Sequence, residues 1–235
     1  MGARRILDVL SRRSVRTTGF SVAVIIGLAA GWPHLLVAQS SPEADGPVKV
    51  GDRWVYEIRN EITGYPKGGY TDMITEVSPR EIILNRTFRE RVYGSPESVL
   101  ITFDRDWDAI DNLLWKFEPN NGQGIRLPLT LGKTWQAEFD AKNLDTGATY
   151  RGTSSSKVVG REPITTPAGT FDTFKIEHKS NLISPPDASK MWENEVVVWY
   201  APQINHWARL TILAIFEKRT RLNISEELAD YTRKF

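Results

Sequence analysis

The run Thr166-Pro167-Ala168-Gly169-Thr170-Phe171 leaves the chain little choice but to reverse direction between two extended arms. Pro167 fixes φ for the first central position of a β-turn, and Gly169 tolerates the left-handed backbone that closes a bulged hairpin loop. Val158-Val159 before the turn and Phe171 to Ile176 after it are β-branched or aromatic enough to be those arms. His178 ends the inward face that Phe174 and Ile176 begin.

The rest of the chain obeys the same grammar. Turn signals rich in Gly, Pro and Asn recur at a spacing of roughly 8–12 residues, the interval of an all-β sheet, sandwich or barrel. Between them the apolar residues alternate. Trp54, Tyr56 and Ile58 share one face, and Val99, Ile101, Phe103 and Trp107 share another. Gly51-Asp52-Arg53-Trp54 and Gly132-Lys133-Thr134-Trp135 are two similar strand entries, each a Gly bend that delivers a Trp to the core. Ala208 to Phe216 is apolar on both faces and reads as a central strand. Leu222 to Tyr231 fits a closing strand and also a short helix capped by Ser225. The expectation is a mainly β protein: a curved, largely antiparallel sheet or open half-barrel with few short helices, formed by residues 48–235 as a single domain.

Residues 1–40 read as a signal peptide. Arg4, Arg5, Arg12, Arg13 and Arg16 form a basic start, Phe20 to Ala38 is apolar, and Ala38-Gln39-Ser40 is a small-x-small site that places cleavage before Ser41. The general secretory route is favoured over twin-arginine export, because Val15 stands where the latter signal carries Phe or Leu. Residues 41–47 form a short flexible leader. Cleavage would remove five of the 30 Lys and Arg and one of the 29 Asp and Glu, so +1 becomes −3. A slightly acidic chain without a basic block is a poor partner for nucleic acid, and no transmembrane segment is expected after cleavage. The sequence has no Cys, which excludes disulfides, thiolate metal sites, a cysteine nucleophile and a lipidated cysteine. The implied location is periplasmic or secreted.

Four features occur together in order: Gly51-x-x-Trp54, Leu127-Pro128-Leu129 to Trp135, Pro167-Ala168-Gly169-Thr170-Phe171, and Trp199-Tyr200-Ala201-Pro202. In this the chain resembles a broad family of bacterial exported proteins known as a domain of unknown function, in which a PAGTF hairpin precedes a WYSP turn. The resemblance covers most of residues 48–231. It implies a curved antiparallel sheet, similar to the open half-barrels of periplasmic lipoprotein-carrier proteins, and it brings no catalytic residues. Asn205-His206-Trp207-Ala208-Arg209 departs from the aliphatic and basic run usual in that family.

Chemistry is sparse. His178 and His206 stand in no metal-ligand motif, and no cofactor fingerprint or nucleophile elbow is present. Asp104-Arg105-Asp106-Trp107-Asp108 begins like a calcium loop, but Ala109 and Trp115 occupy the positions that need Gly and Glu. Glu193 and Glu195 share a strand face, and Thr153-Ser154-Ser155-Ser156 is a polar run without an identifiable base. What remains is an excess of Trp. Trp54, Trp135, Trp199 and Trp207, with His178, are the candidate ligand-binding residues, lining a cavity for a lipid or another hydrophobic small molecule. The leading expectation is a non-catalytic binding or carrier module for an apolar or amphipathic ligand. The alternatives are a protein-docking domain of the cell envelope that uses a sheet edge, and a hydrolase built on His178 or His206.

Overall fold

Period-two alternation runs through almost every segment of the computed structural model, which describes residues 46–89, 97–112 and 114–234. The signal-peptide reading of residues 1–40 lies outside those residues, as do positions 41–45 of the leader. The strands come in sequence. β1 (Arg53–Asn60), β2 (Pro66–Val77), β3 (Glu81–Phe88) and β4 (Ser98–Asp104) precede two short ones, β5 (Ala109–Asp111) and β6 (Trp115–Glu118). Then come β7 (Thr134–Asn143), β8 (Thr149–Thr166), β9 (Gly169–Ser184) and β10 (Asp187–Ala201). A 3-10 turn at Pro202–Ile204 leads into β11 (His206–Phe216) and β12 (Arg219–Thr232).

Each strand pairs antiparallel with its neighbours in sequence, and β12 pairs with β1 from Arg53↔Thr232 to Asn60↔Ile224. The sheet is therefore a closed barrel, not the open half-barrel expected. An open sheet would leave one side of β1 and one side of β12 with unpaired N–H and C=O groups, and closure satisfies both. Leu222 to Tyr231 supplies the closing strand because Ile224, Glu226 and Leu228 alternate into the interior. No α-helix occurs among the described residues, so the expected short helices reduce to the single turn at Pro202.

The hairpin at Pro167-Ala168 is tighter and longer-armed than its sequence suggests. Thr166 pairs directly with Gly169, whose φ is +129°, and the arms run for 18 and 16 residues. The main core gathers Trp54, Tyr56, Ile74, Leu84, Ile176 and Val198, and a smaller cluster joins Phe117, Phe139, Ala141 and Leu182. Each large side chain removed from water in this way contributes about 1.5–3 kcal/mol.

The ring is thinnest at β5 and β6, which pair only through Asp111↔Lys116. In the connection from β6 to β7, Asn121 to Ile125 pack inside the barrel and Leu129 is buried after them, while Leu127, Thr130 and Leu131 are exposed. Inward-facing small residues on β8 make room for residues 121–125. Gly152, Ser154 and Ser156 alternate inward there, and a Cβ on Gly122 would overlap Ala137 and Ser154 Oγ.

Candidate functional site

The inserted loop is held by charge. Arg126 donates from Nη1 to Asp106 at 2.8 Å and from Nη2 to Asp108 at 2.7 Å, with Asp104 at 3.8 Å. Asp104 in turn accepts the backbone N–H groups of Asp106 and Asp108 and the side-chain amide of Asn120. The acidic run that begins like a calcium loop thus receives a guanidinium from the chain itself. Among the described residues no cluster of His, Asp or Glu is arranged to hold a metal. Burial pushes the Asp108 carboxyl up to about 6, against the pull of Arg126.

Two cavities follow from this loop. The larger, about 830 Å³, lies where the β4–β5 turn, the inserted loop and the Pro202 turn gather at one end of the barrel. Val48, Ile82, Leu129, Phe174 and Tyr200 give it an apolar wall. The smaller, about 120 Å³, lies deeper and is lined by Asn121, Gln123, His178, Val196 and Trp207 among others. Trp107 and Ile125 line both, so these two side chains form the partition. Trp107 takes this position on a left-handed backbone, with φ 62°.

The deeper cavity has a polar wall. On β8 and β9, Ser156 faces His178 and Ser154 faces Ser180. Ser156 Oγ lies 2.6 Å from His178 Nδ1 and 3.4 Å from the Gly122 carbonyl. Gln123 donates to Ser180 Oγ at 3.3 Å, as does Asn194 from β10. Burial lowers the His178 pKa to about 4, so the ring is neutral near pH 7.

A second buried network lies against β1. His206 stacks on Trp54 with ring centres 4.4 Å apart and meets Trp107 edge-on at 4.6 Å. Its Nδ1 is 2.5 Å from Tyr56 Oη, which donates to the Trp207 carbonyl at 2.7 Å. Nearby, Arg86 grips Asp72 through two hydrogen bonds of 2.7 and 2.8 Å and lies over the Tyr70 ring, whose hydroxyl donates to Glu226. Burial drives the His206 pKa well down, with the positive charges of Arg86 and Arg233 adding to the effect. It drives Glu226 up. No hydrogen bond joins either histidine to a carboxylate among the described residues.

The five sequence-derived candidates separate accordingly. His178 and Trp207 line the deeper cavity. Trp135 faces inward beside it, its indole N–H donating to the Gly122 carbonyl at 3.1 Å and its ring edge-on to His178. Trp54 is fully buried behind His206 and lines neither cavity. Trp199 faces outward, donating to Glu162 at 2.7 Å with Lys175 and Arg209 over its ring. The strand's parity carries that signal, since Val196, Val198 and Tyr200 are the inward residues of β10. Trp107, Ile125, Leu129 and Arg126 were not among those candidates, although Trp107 reads on an apolar face and the Gly-x-Ser-x-Ser alternation at 152–156 marks the space that the inserted loop enters.

Residues 133–205 match the family described as DUF3108-like, a span that contains both the Pro167-Gly169 hairpin and the Trp199-Tyr200-Ala201-Pro202 turn. The resemblance to a domain of unknown function in exported bacterial proteins therefore holds. A candidate lipoprotein from Parabacteroides distasonis superposes with a TM-score of 0.54 at 15% identity, over 79% of this chain and 97% of its own. A candidate exported protein with a YmcC-like fold from Bacteroides fragilis gives 0.50 at 15% identity, over 80% and 98%. No curated protein matches the chain. At such identities the likeness establishes the fold, and the function must come from the site.

Proposed function

We propose that the chain is an exported envelope protein whose barrel binds an apolar or amphipathic small molecule at its loop-filled end. The observation that carries this reading is the cavity of about 830 Å³ walled by Val48, Ile82, Trp107, Leu129 and Phe174. Such a volume suits a lipid-sized guest, and apolar walls with few polar groups are the usual design of such sites. The export assignment is supported by the basic and apolar start of the sequence and by the descriptions of the two structural relatives. Docking a partner along a sheet edge has less support, because a closed ring offers no terminal strand to extend.

Native mass spectrometry of protein purified from its own cell envelope tests the proposal. The expected spectrum contains a bound mass that organic extraction removes and that an added aliphatic compound restores. A clean unliganded mass that no aliphatic compound shifts would end it.

A further inference from the structure

His178 is almost completely buried, and its Nε2 has no hydrogen-bond partner among the described residues. Such a group is costly unless something meets it, by about 1–3 kcal/mol. The ring faces the deeper cavity, which is large enough for a small polar group and no more than that. Its neighbours set its chemistry. Ser156 Oγ has one proton and two acceptors within reach, His178 Nδ1 at 2.6 Å and the Gly122 carbonyl at 3.4 Å. With that proton directed to the Gly122 carbonyl, Nδ1–H donates to Ser156 and Nε2 keeps a bare lone pair; with it directed to Nδ1, Nε2 carries the ring proton instead. In the first tautomer the site asks for a donor, and side-chain 15N spectra read that tautomer directly. A carboxylate or another acceptor end would there meet lone pair with lone pair.

We infer that the deeper cavity is the head-group subsite of the barrel, and that His178 Nε2 accepts a hydrogen bond from a hydroxyl at the end of an aliphatic ligand whose chain lies in the larger cavity. This rests on the binding function proposed above and adds the polarity and orientation of the guest. Trp107 and Ile125 stand between the two cavities, so the ligand enters head first as those side chains turn aside. The low basicity of His178 is consistent with the role, because an imidazolium would have no acceptor to offer. Asn121 and Gln123, on the inserted loop, complete the polar lining.

The test uses two probes, dodecanol and dodecyl methyl ether, titrated into the wild-type protein and His178→Phe. Side-chain 15N spectra of the histidines are recorded alongside. Both probes are expected to bind the wild type. The ratio of ether to alcohol dissociation constants should be about 3- to 10-fold larger in the wild type than in His178→Phe, the range of one net hydrogen bond. The Nε2 resonance of His178 should move with dodecanol and stay in place with the ether. This wild-type readout does not depend on how well the variant folds. Equal binding of both probes with an unmoved Nε2 resonance overturns the head-group subsite while leaving apolar binding intact. If neither probe binds, both readings fall.

Discussion

Arg126 Nη2 lies 2.7 Å from Asp108 Oδ2, and this contact ties the loop inside the barrel to the turn between β4 and β5. Asp108 is fully buried, whereas the Arg126 side chain remains about a third exposed. The pair is asymmetric: the carboxylate needs the guanidinium more than the reverse. It also fixes both parts of the cavity wall, since Trp107 precedes Asp108 and Ile125 precedes Arg126.

Replacing Arg126 with Ala should therefore cost about 1–3 kcal/mol, less than a fully buried pair would, because water reaches one partner. Asp108 should respond by rising above its present value of about 6 and taking up a proton near neutral pH. Urea midpoints give the first quantity, and carboxyl 13C titration gives the second. A wild-type midpoint together with an unchanged Asp108 titration would show that the clamp does not hold the loop.

His206 should make the barrel sensitive to acid. Its folded pKa lies well below 6.5, so below that pH the unfolded chain binds a proton that the folded chain refuses. Stability is full above about 6.5 and declines as pH falls, at about 1.4 kcal/mol per pH unit for one proton. His178, lowered to about 4, acts in the same sense, while Asp108, raised to about 6, and Glu226, also raised, act in the opposite one, so the raw profile mixes all four. The difference between the wild type and His206→Phe isolates His206, since Tyr56 keeps its bond to the Trp207 carbonyl. That difference should favour the variant increasingly as pH drops. Parallel profiles would contradict the assignment.

Much of this barrel could be read from residues that act locally. Pro167 and Gly169 define their turn within a few bonds, and Trp54, Tyr56 and Ile58 reveal their shared face by spacing alone. Closure could not be read in that way, because Arg53 meets Thr232 from opposite ends of residues 48–235, and Leu222 to Tyr231 carries signals for both strand and helix. The Trp inventory misled in a definite respect. Composition counts Trp199 and Trp207 alike, while strand parity puts one on the outer wall and the other beside the deeper cavity. The clamp was not visible: Asp104, Asp106 and Asp108 read as a calcium loop that fails at Ala109 and Trp115, and nothing local pointed to Arg126, about twenty residues on, as their partner.

Gly122 should tolerate no side chain. Its φ is +73°, and an added Cβ would overlap Ala137 and Ser154. Gly122→Ala should cost about 3 kcal/mol from backbone strain and overpacking together. It should also break the bond from the Trp135 indole to the Gly122 carbonyl, shifting that Trp emission to the red. Gly160→Ala serves as the control, since its Cβ would sit an ordinary 3.9 Å from Lys175, and it should stay within about 0.5 kcal/mol of the wild type. Equal losses at the two positions would mean that the loop is not packed against β7 and β8.

Trp107 divides the two cavities, so shortening it should join them. Trp107→Ala removes the larger part of the partition while Ile125 remains, and the rate of ligand entry should rise more than the affinity. The same change removes ring contacts to Trp54, Phe103 and His206 and should cost about 3–5 kcal/mol of stability. Trp107→Leu keeps part of that packing and is the better variant for kinetics. Stopped-flow mixing with an apolar fluorescent probe should show faster association in Trp107→Leu at a similar dissociation constant. If entry is no faster, Trp107 is wall and not gate, and the route to the deeper cavity runs elsewhere.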